Sequence, residues 1–222
     1  MSIASNIQSV RLHIPPNVKL VCVSKFHSNE TILEAYETSE RIFGESKIQE
    51  LCKKQKELPD DISWHFVGHL QTNKVKYLVP FVDLIQSVDS LKLLAEINKQ
   101  AVKIDRKINC LLQVHIAQED TKFGFDESEI CALLVNGILK DYNHIRIRGL
   151  MGMATFTDDT EQVRQEFRRL KNLFDQIKAD FFADDVDFSE LSMGMSDDYQ
   201  IAISEGSTLV RIGTTIFGNR EY

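Results

Sequence analysis

No two cysteines in this chain stand at the two-residue spacing of a zinc knuckle or a dithiol redox pair. The four that occur, Cys22, Cys52, Cys110 and Cys131, are scattered, and Cys22 and Cys110 sit in apolar runs where a thiol acts as a small core residue. Apolar stretches approaching the ~20 residues of a membrane span are absent, and no signal peptide is expected before the first apolar run. Positive charge is also short. The net charge of −7 at pH 7 argues against general nucleic-acid affinity. The one dense basic cluster, Lys53-Lys54-Gln55-Lys56, reads as a solvated helix face. A Walker loop, a GxGxxG at a first strand-to-helix turn and a GxSxG elbow are missing. These absences lead to the expectation of a reduced, cytoplasmic protein with no metal site, no membrane partner and no nucleic-acid partner.

What is present is a regular alternation. Across 222 residues, 43% of them hydrophobic, short β-type runs trade places with longer amphipathic ones. The β-type runs are Lys19–Ser24, Arg41–Gly44, Ser63–Gly68, Leu84–Val88, Ile108–Ile116, Ile145–Met151, Phe188–Met193 and Leu209–Ile212. Between them lie helical patterns. The clearest spans Asp159 to Lys178, with Val163, Phe167, Leu170, Phe174 and Ile177 in one stripe. Another spans Ser90 to Lys103. Strands separated by helices imply parallel neighbours and right-handed crossovers. Eight such units in one chain point to an α/β fold, a single (β/α)8 TIM barrel over residues 1–222. A leading helix of about 1–17 is expected, ended by Pro15-Pro16.

In such barrels chemistry gathers at the C-terminal ends of the strands, and the unusual residues fall there. Lys25 follows strand 1, where an ammonium backed by an apolar run should lose solvation and become a nucleophile toward an aldehyde. Ser46 follows strand 2 and His69 strand 3. Gly194 and Gly213 leave strands 7 and 8, where backbone N–H groups can approach an anion closely. Ser192, Gly194, Gly213 and Thr214 together suit a phosphate, which barrels often hold after these two strands. Arg211 lies within strand 8, where a heteroaromatic ring nitrogen or a charge partner in the barrel layers would account for it. His65 and His69 lie about 13 Å apart along an extended chain, so they do not form a metal pair. His65 reads as a core histidine.

These residues fall in VCVSK (Val21–Lys25), FGES with QE (Phe43–Glu50), WHFVGHLQTNK (Trp64–Lys74), KFGF (122–125) and RGLMGM (Arg148–Met153). LSMGMSDD (Leu191–Asp198) and VRIGTTIFGNREY (210–222) complete the series. In that order they resemble the pyridoxal 5′-phosphate (PLP) homeostasis family, related to the barrel domain of alanine racemase. The resemblance implies PLP as cofactor, held on Lys25 as an internal aldimine. It further implies that Ser192, Met193, Gly213 and Thr214 hold the phosphate and that Arg211 faces the pyridine nitrogen. Ser46 and His69 are further candidates, and Lys122 is a loop lysine that the KFGF motif brings toward the pocket. Ser46 departs from the family's usual asparagine, with a shorter reach. The expected function is a PLP carrier, a monomer serving PLP-dependent apo-enzymes as recipients, without strong turnover. The alternatives are a PLP-dependent amino-acid racemase of low activity, with Tyr199 or water as second acid, and a cofactor-free aldolase-type barrel.

Overall fold

The computed structural model describes residues 2–118 and 123–218. Its elements are α1 (Ile3–Arg11), β1 (Lys19–Val23), α2 (Asn29–Glu37), β2 (Ile42–Glu45), α3 (Ile48–Glu57), β3 (Ser63–Phe66), α4 (Val75–Leu78), β4 (Leu84–Val88) and α5 (Leu91–Lys103). They continue as β5 (Ile108–His115), α6 (Glu127–Val135), β6 (Ile145–Met153), α7 (Thr160–Phe181), β7 (Glu190–Ser192), α8 (Tyr199–Ser204), β8 (Leu209–Ile212) and α9 (Thr214–Phe217). Every strand pairs in parallel with the next, and β8 pairs back with β1, closing a barrel in chain order. It is the (β/α)8 barrel that the alternating periods imply.

Local chemistry explains where the helices begin. Ser28, Ser90 and Asp159 each accept a backbone N–H from the first turn of α2, α5 and α7. Asp126 and Glu129 form a reciprocal capping box at α6. On α7 the stripe Val163, Phe167, Leu170, Phe174 and Ile177 is buried. Strand alternation then separates two cores. Leu20 and Cys22 face the helices with most of the buried apolar residues. Val21, Val23, Leu84, Leu111, Met151 and Leu209 fill the lumen. Among the described residues no helix is long and apolar enough to cross a membrane.

Two elements differ from expectation. Helix α1 stops at Arg11, well before the prolines, and His13 and Ile14 close short turns onto Val10 and Arg11. The ring of Pro15 disfavours the helical region for Ile14, so the helix unwinds ahead of it. Strand β7 is only three residues long and meets β8 at a single register pair, Ser192 with Leu209. Side chains reinforce the backbone bonds that Thr208 and Met193 donate across this seam to Leu191 and Leu209. Thr208 Oγ1 accepts the Leu191 N–H at 2.7 Å, and Ser207 Oγ donates to the Met193 carbonyl at 2.8 Å.

Strand β6 carries an extra residue at Arg148, because Cys110 pairs with Ile147 and Leu111 with Gly149. Gly149 has φ +147°, and a Cβ there would lie 1.8 Å from the Glu190 carbonyl oxygen. No side chain flexes to relieve a clash with backbone. Gly149→Ala should therefore cost about 3 kcal/mol, read as a lower urea midpoint at unchanged slope.

Candidate cofactor site

Lys25 follows β1 in a tight turn, two residues past the lumen-facing Val23. The next residue, Phe26, is held at φ +69°. An L residue with a bulky side chain pays about 1–2 kcal/mol for that conformation. What holds it lies behind the strand. The Phe26 N–H donates to Glu50 Oε1 at 2.7 Å, and the His27 N–H closes the turn onto the Ser24 carbonyl at 3.2 Å. Lys54 Nζ donates to the Ser24 carbonyl at 2.8 Å, to Glu45 Oε1 at 2.8 Å and to Glu50 Oε1 at 2.6 Å. Ser24 Oγ donates to the same Glu45 oxygen at 2.7 Å. Glu45 Oε2 is buried with no hydrogen-bond partner among the described residues, and burial pushes this carboxyl's pKa up against the pull of Lys54.

The other wall comes from the end of the chain. Val21 pairs with Arg211 and Cys22 with Ile212, so β8 delivers its exit loop beside that of β1. A Cβ on Gly213 would lie 3.1 Å from the Val23 carbonyl oxygen. The N–H groups of Gly213 and Thr215 converge on Ser196 Oγ, at 3.3 and 3.4 Å. Thr214 is exposed at the mouth. The ring of Phe217, on α9, lies 5.0 Å from that of His27. Gly194 turns the β7 exit with φ +95°, and a Cβ there would lie 2.6 Å from that of Ala202. Backbone donors, a hydroxyl and the lysine turn thus meet at one edge of the barrel mouth.

Arg211 lies below them, buried in the lumen. It donates to Ser192 Oγ at 2.5 Å and to the Gly152 carbonyl at 3.1 Å. Burial pushes its pKa down to about 10, with Asp198 pulling the other way, so it stays charged at neutral pH. Ser192 Oγ in turn donates to Gln86 Oε1 at 2.7 Å, and Gln86 Nε2 lies 2.9 Å from His65 Nδ1. A hydrogen-bonded chain therefore crosses the lumen from β3 through β4 and β7 to β8.

The expected site residues fall into two groups. Lys25, Arg211, Gly213 and Thr214 are brought together by the β1–β8 pairing, and Ser192 contacts Arg211 directly. Met193 is fully buried, and its N–H donates to the Leu209 carbonyl at 3.2 Å. Ser46 packs against Gly68, where a Cβ would lie 2.4 Å from the Ser46 carbonyl oxygen. His69 stands on the β3–β5 arc, its Nδ1 3.0 Å from Asp89 Oδ2 and its ring 4.9 Å from that of Phe123. His65 is a buried lumen histidine, as expected. Lys122 lies outside the described residues. Tyr199 is built into the core between α8 and the barrel.

Sequence reasoning missed Gln86 and Lys54, and it included Ser196 in the Leu191–Asp198 stretch without giving it a contact. The solvated-face expectation for residues 53–56 fails at Lys54, which is buried. Ile48, Leu51 and Leu58 mark an inward stripe at spacings that include position 54, so helical period could have found it.

Residues 1–221 match the family model for the alanine racemase N-terminal domain. The chain is 40% identical over 205 residues to the pyridoxal phosphate homeostasis protein of Aquifex aeolicus, covering 92% of this chain and 88% of that one. The solved structure of PipY from Synechococcus elongatus PCC7942, with PLP bound, superposes with a TM-score of 0.88. It is 34% identical, and the match covers 98% of this chain and all of PipY. Alanine racemase from Bartonella henselae shares the fold, with a TM-score of 0.70 at 15% identity, over 99% of this chain and 60% of that one.

Burial pushes the His65 pKa down to about 3. The unfolded chain, with an ordinary histidine near 6.5, binds more protons between those values. Stability from neutral His65 is therefore complete above pH 6.5 and is lost as pH falls toward 3. Between pH 6.5 and 5, wild type should lose about 2 kcal/mol more than His65→Gln in urea unfolding. Equal losses would contradict a neutral buried imidazole.

Proposed function

We infer the function of this chain from a plain premise: it belongs to the pyridoxal phosphate homeostasis family, and its barrel is of the alanine racemase N-terminal type. It binds pyridoxal 5′-phosphate and serves the intracellular homeostasis of that cofactor. The observation that carries this reading is the β1–β8 junction, which sets a strand-end lysine beside a loop of converging backbone donors. The donor set suits the group. Its members are a lysine at the β1 exit, N–H groups spaced to share one oxygen, and a buried guanidinium with no carboxylate ion pair among the described residues.

When bound, the cofactor supplies an aldehyde carbon open to an amine and a ring nitrogen that accepts a hydrogen bond. Lys25 provides the amine. Gly213, Thr214 and Ser196 grip the phosphate at the exits of β7 and β8. Ser192 and Met193 anchor the loop that carries Ser196, since their polar groups are tied to Gln86, Arg211 and Leu209. Arg211 faces the ring nitrogen and is held in place by Ser192 and the Gly152 carbonyl. Ser46 and His69 lie farther round the mouth.

The protein acts as a carrier without robust turnover. A charged arginine at the ring nitrogen does not hand it a proton, which weakens the ring as an electron sink. Inverting an α-carbon needs an acid and a base on opposite faces, and Tyr199, the expected second acid, is packed in the core. Four free thiols, two of them buried, support a reducing cytoplasmic setting. The recipients are PLP-dependent apo-enzymes, and the carrier is a monomer.

Lys25→Ala should abolish the visible absorbance of protein incubated with PLP and the borohydride-fixed label on the 20–30 peptide. Its circular dichroism and urea midpoint should stay near wild type. A label retained elsewhere, or uncoloured wild type, would refute the assignment. Wild type in deuterated water should exchange the α-hydrogen of alanine no faster than free PLP does. Rapid exchange would mean a racemase.

A further inference from the structure

The turn that carries Lys25 is gripped from outside the barrel by a cluster that does not belong to the cofactor pocket. Ser24, before Lys25, gives its carbonyl to Lys54 and its hydroxyl to Glu45. Phe26, after Lys25, gives its N–H to Glu50 and is held in the left-handed region, which an L side chain adopts only where its surroundings impose it. Lys54 joins these arms, because its ammonium contacts the Ser24 carbonyl, Glu45 and Glu50 at once. The two contacts flank Lys25 on either side and come from one helix, α3, at positions four apart. Lys54 and Glu45 are buried, so the grip is not diluted by water. Lys54 is an expensive residue to bury on a helix whose stripe is otherwise apolar, and packing alone does not call for a charge there.

We propose that Glu50 and Lys54 are positioning residues for Lys25, fixing the turn so that its amine meets an aldehyde at the barrel mouth. This rests on the reading of Lys25 as the capturing amine. In that capture Lys25 Nζ forms a C=N bond in place of the C=O bond, and the carbonyl oxygen leaves as water with both amine protons. The cluster sets how fast this occurs. It leaves the phosphate grip at the β7 and β8 exits unchanged, since that grip is anchored by other residues.

The test compares wild type, Glu50→Ala, Glu50→Gln and Lys54→Met. PLP capture is followed by stopped-flow absorbance, and binding of pyridoxine 5′-phosphate, which has the phosphate but no aldehyde, by calorimetry. Glu50→Ala and Lys54→Met should slow capture about tenfold or more. Glu50→Gln, which keeps an oxygen acceptor for the Phe26 N–H, should restore most of the rate. Pyridoxine 5′-phosphate should bind all variants within about twofold of wild type. Hydrogen exchange in the cofactor-free protein should accelerate in the 24–28 segment of Glu50→Ala and not elsewhere. Wild-type capture by Glu50→Ala, or a parallel loss of capture and pyridoxine 5′-phosphate binding, would overturn the proposal. The Glu50 side chain keeps some exposure on α3, where that of Lys54 is buried, so Glu50→Ala decides the matter even where Lys54→Met fails to fold. Wild type that captures PLP at another residue would instead sink the reading of Lys25 itself, while the exchange result would still report on the turn.

Discussion

Closure of the barrel is the constraint from which the site follows. An open parallel sheet would leave β1 and β8 at opposite edges with unpaired backbone. Closing it sets Val21 against Arg211 and brings residues nearly two hundred positions apart into hydrogen-bonded register. Because the strands are parallel, their C-terminal ends emerge on the same face. The exits of β1 and β8 thus become neighbours there. Gly213 lets the backbone come close to the Val23 carbonyl, so the donor loop and the lysine turn share an edge.

The lumen shows how polar groups can be buried at moderate cost. Arg211, Ser192, Gln86 and His65 would each be expensive alone in a low-dielectric interior. Joined, each satisfies the next, and the carbonyl of Gly152 terminates the chain. A buried network is worth its desolvation when its members are paired, and such pairing also fixes orientation. Arg211 keeps its charge because guanidinium has so much basicity to lose; burial to about 10 still leaves it protonated. Glu45 is the contrasting case. One of its oxygens is served twice and the other not at all, and burial pushes its carboxyl's pKa up against the opposing pull of Lys54 and Ser24.

What the sequence made legible was whatever repeats or carries a local signal. The eight strands and the stripe of α7 follow from period, and Ser90 and Asp159 mark helix starts as caps. Lys25 was visible because a lysine ending an apolar run breaks the pattern. Arg211 stood out for the same reason, being a charge inside a strand. The rest depended on partners that one chain segment does not announce. Gln86 is an ordinary polar residue in a strand until the lumen places it between His65 and Ser192. Lys54 was hidden by its neighbours, since a run of basic residues reads as solvated, although only Lys54 lies on the inward stripe of α3. The three-residue β7 was overestimated because the apolar run around it, including Phe188, is buried by stacking on Phe174 and Phe182 rather than by strand pairing.

These features favour the proposed carrier over a catalyst. Catalysis on an amino acid requires groups that exchange protons with the reacting carbon on both faces, and it gains from a ring that accepts electrons. This barrel spends its buried polar groups otherwise. The lumen chain fixes an arginine that is charged at neutral pH, the seam of β7 and β8 fixes a donor loop, and the lysine turn is locked from behind by Lys54 and Glu50. Each device orients a binding group, and none leaves a poised acid opposite Lys25 among those the sequence offered, because Tyr199 is committed to the core. In the proposed reading, an arrangement that fixes the amine, the anion grip and the ring contact favours capture and retention of an aldehyde.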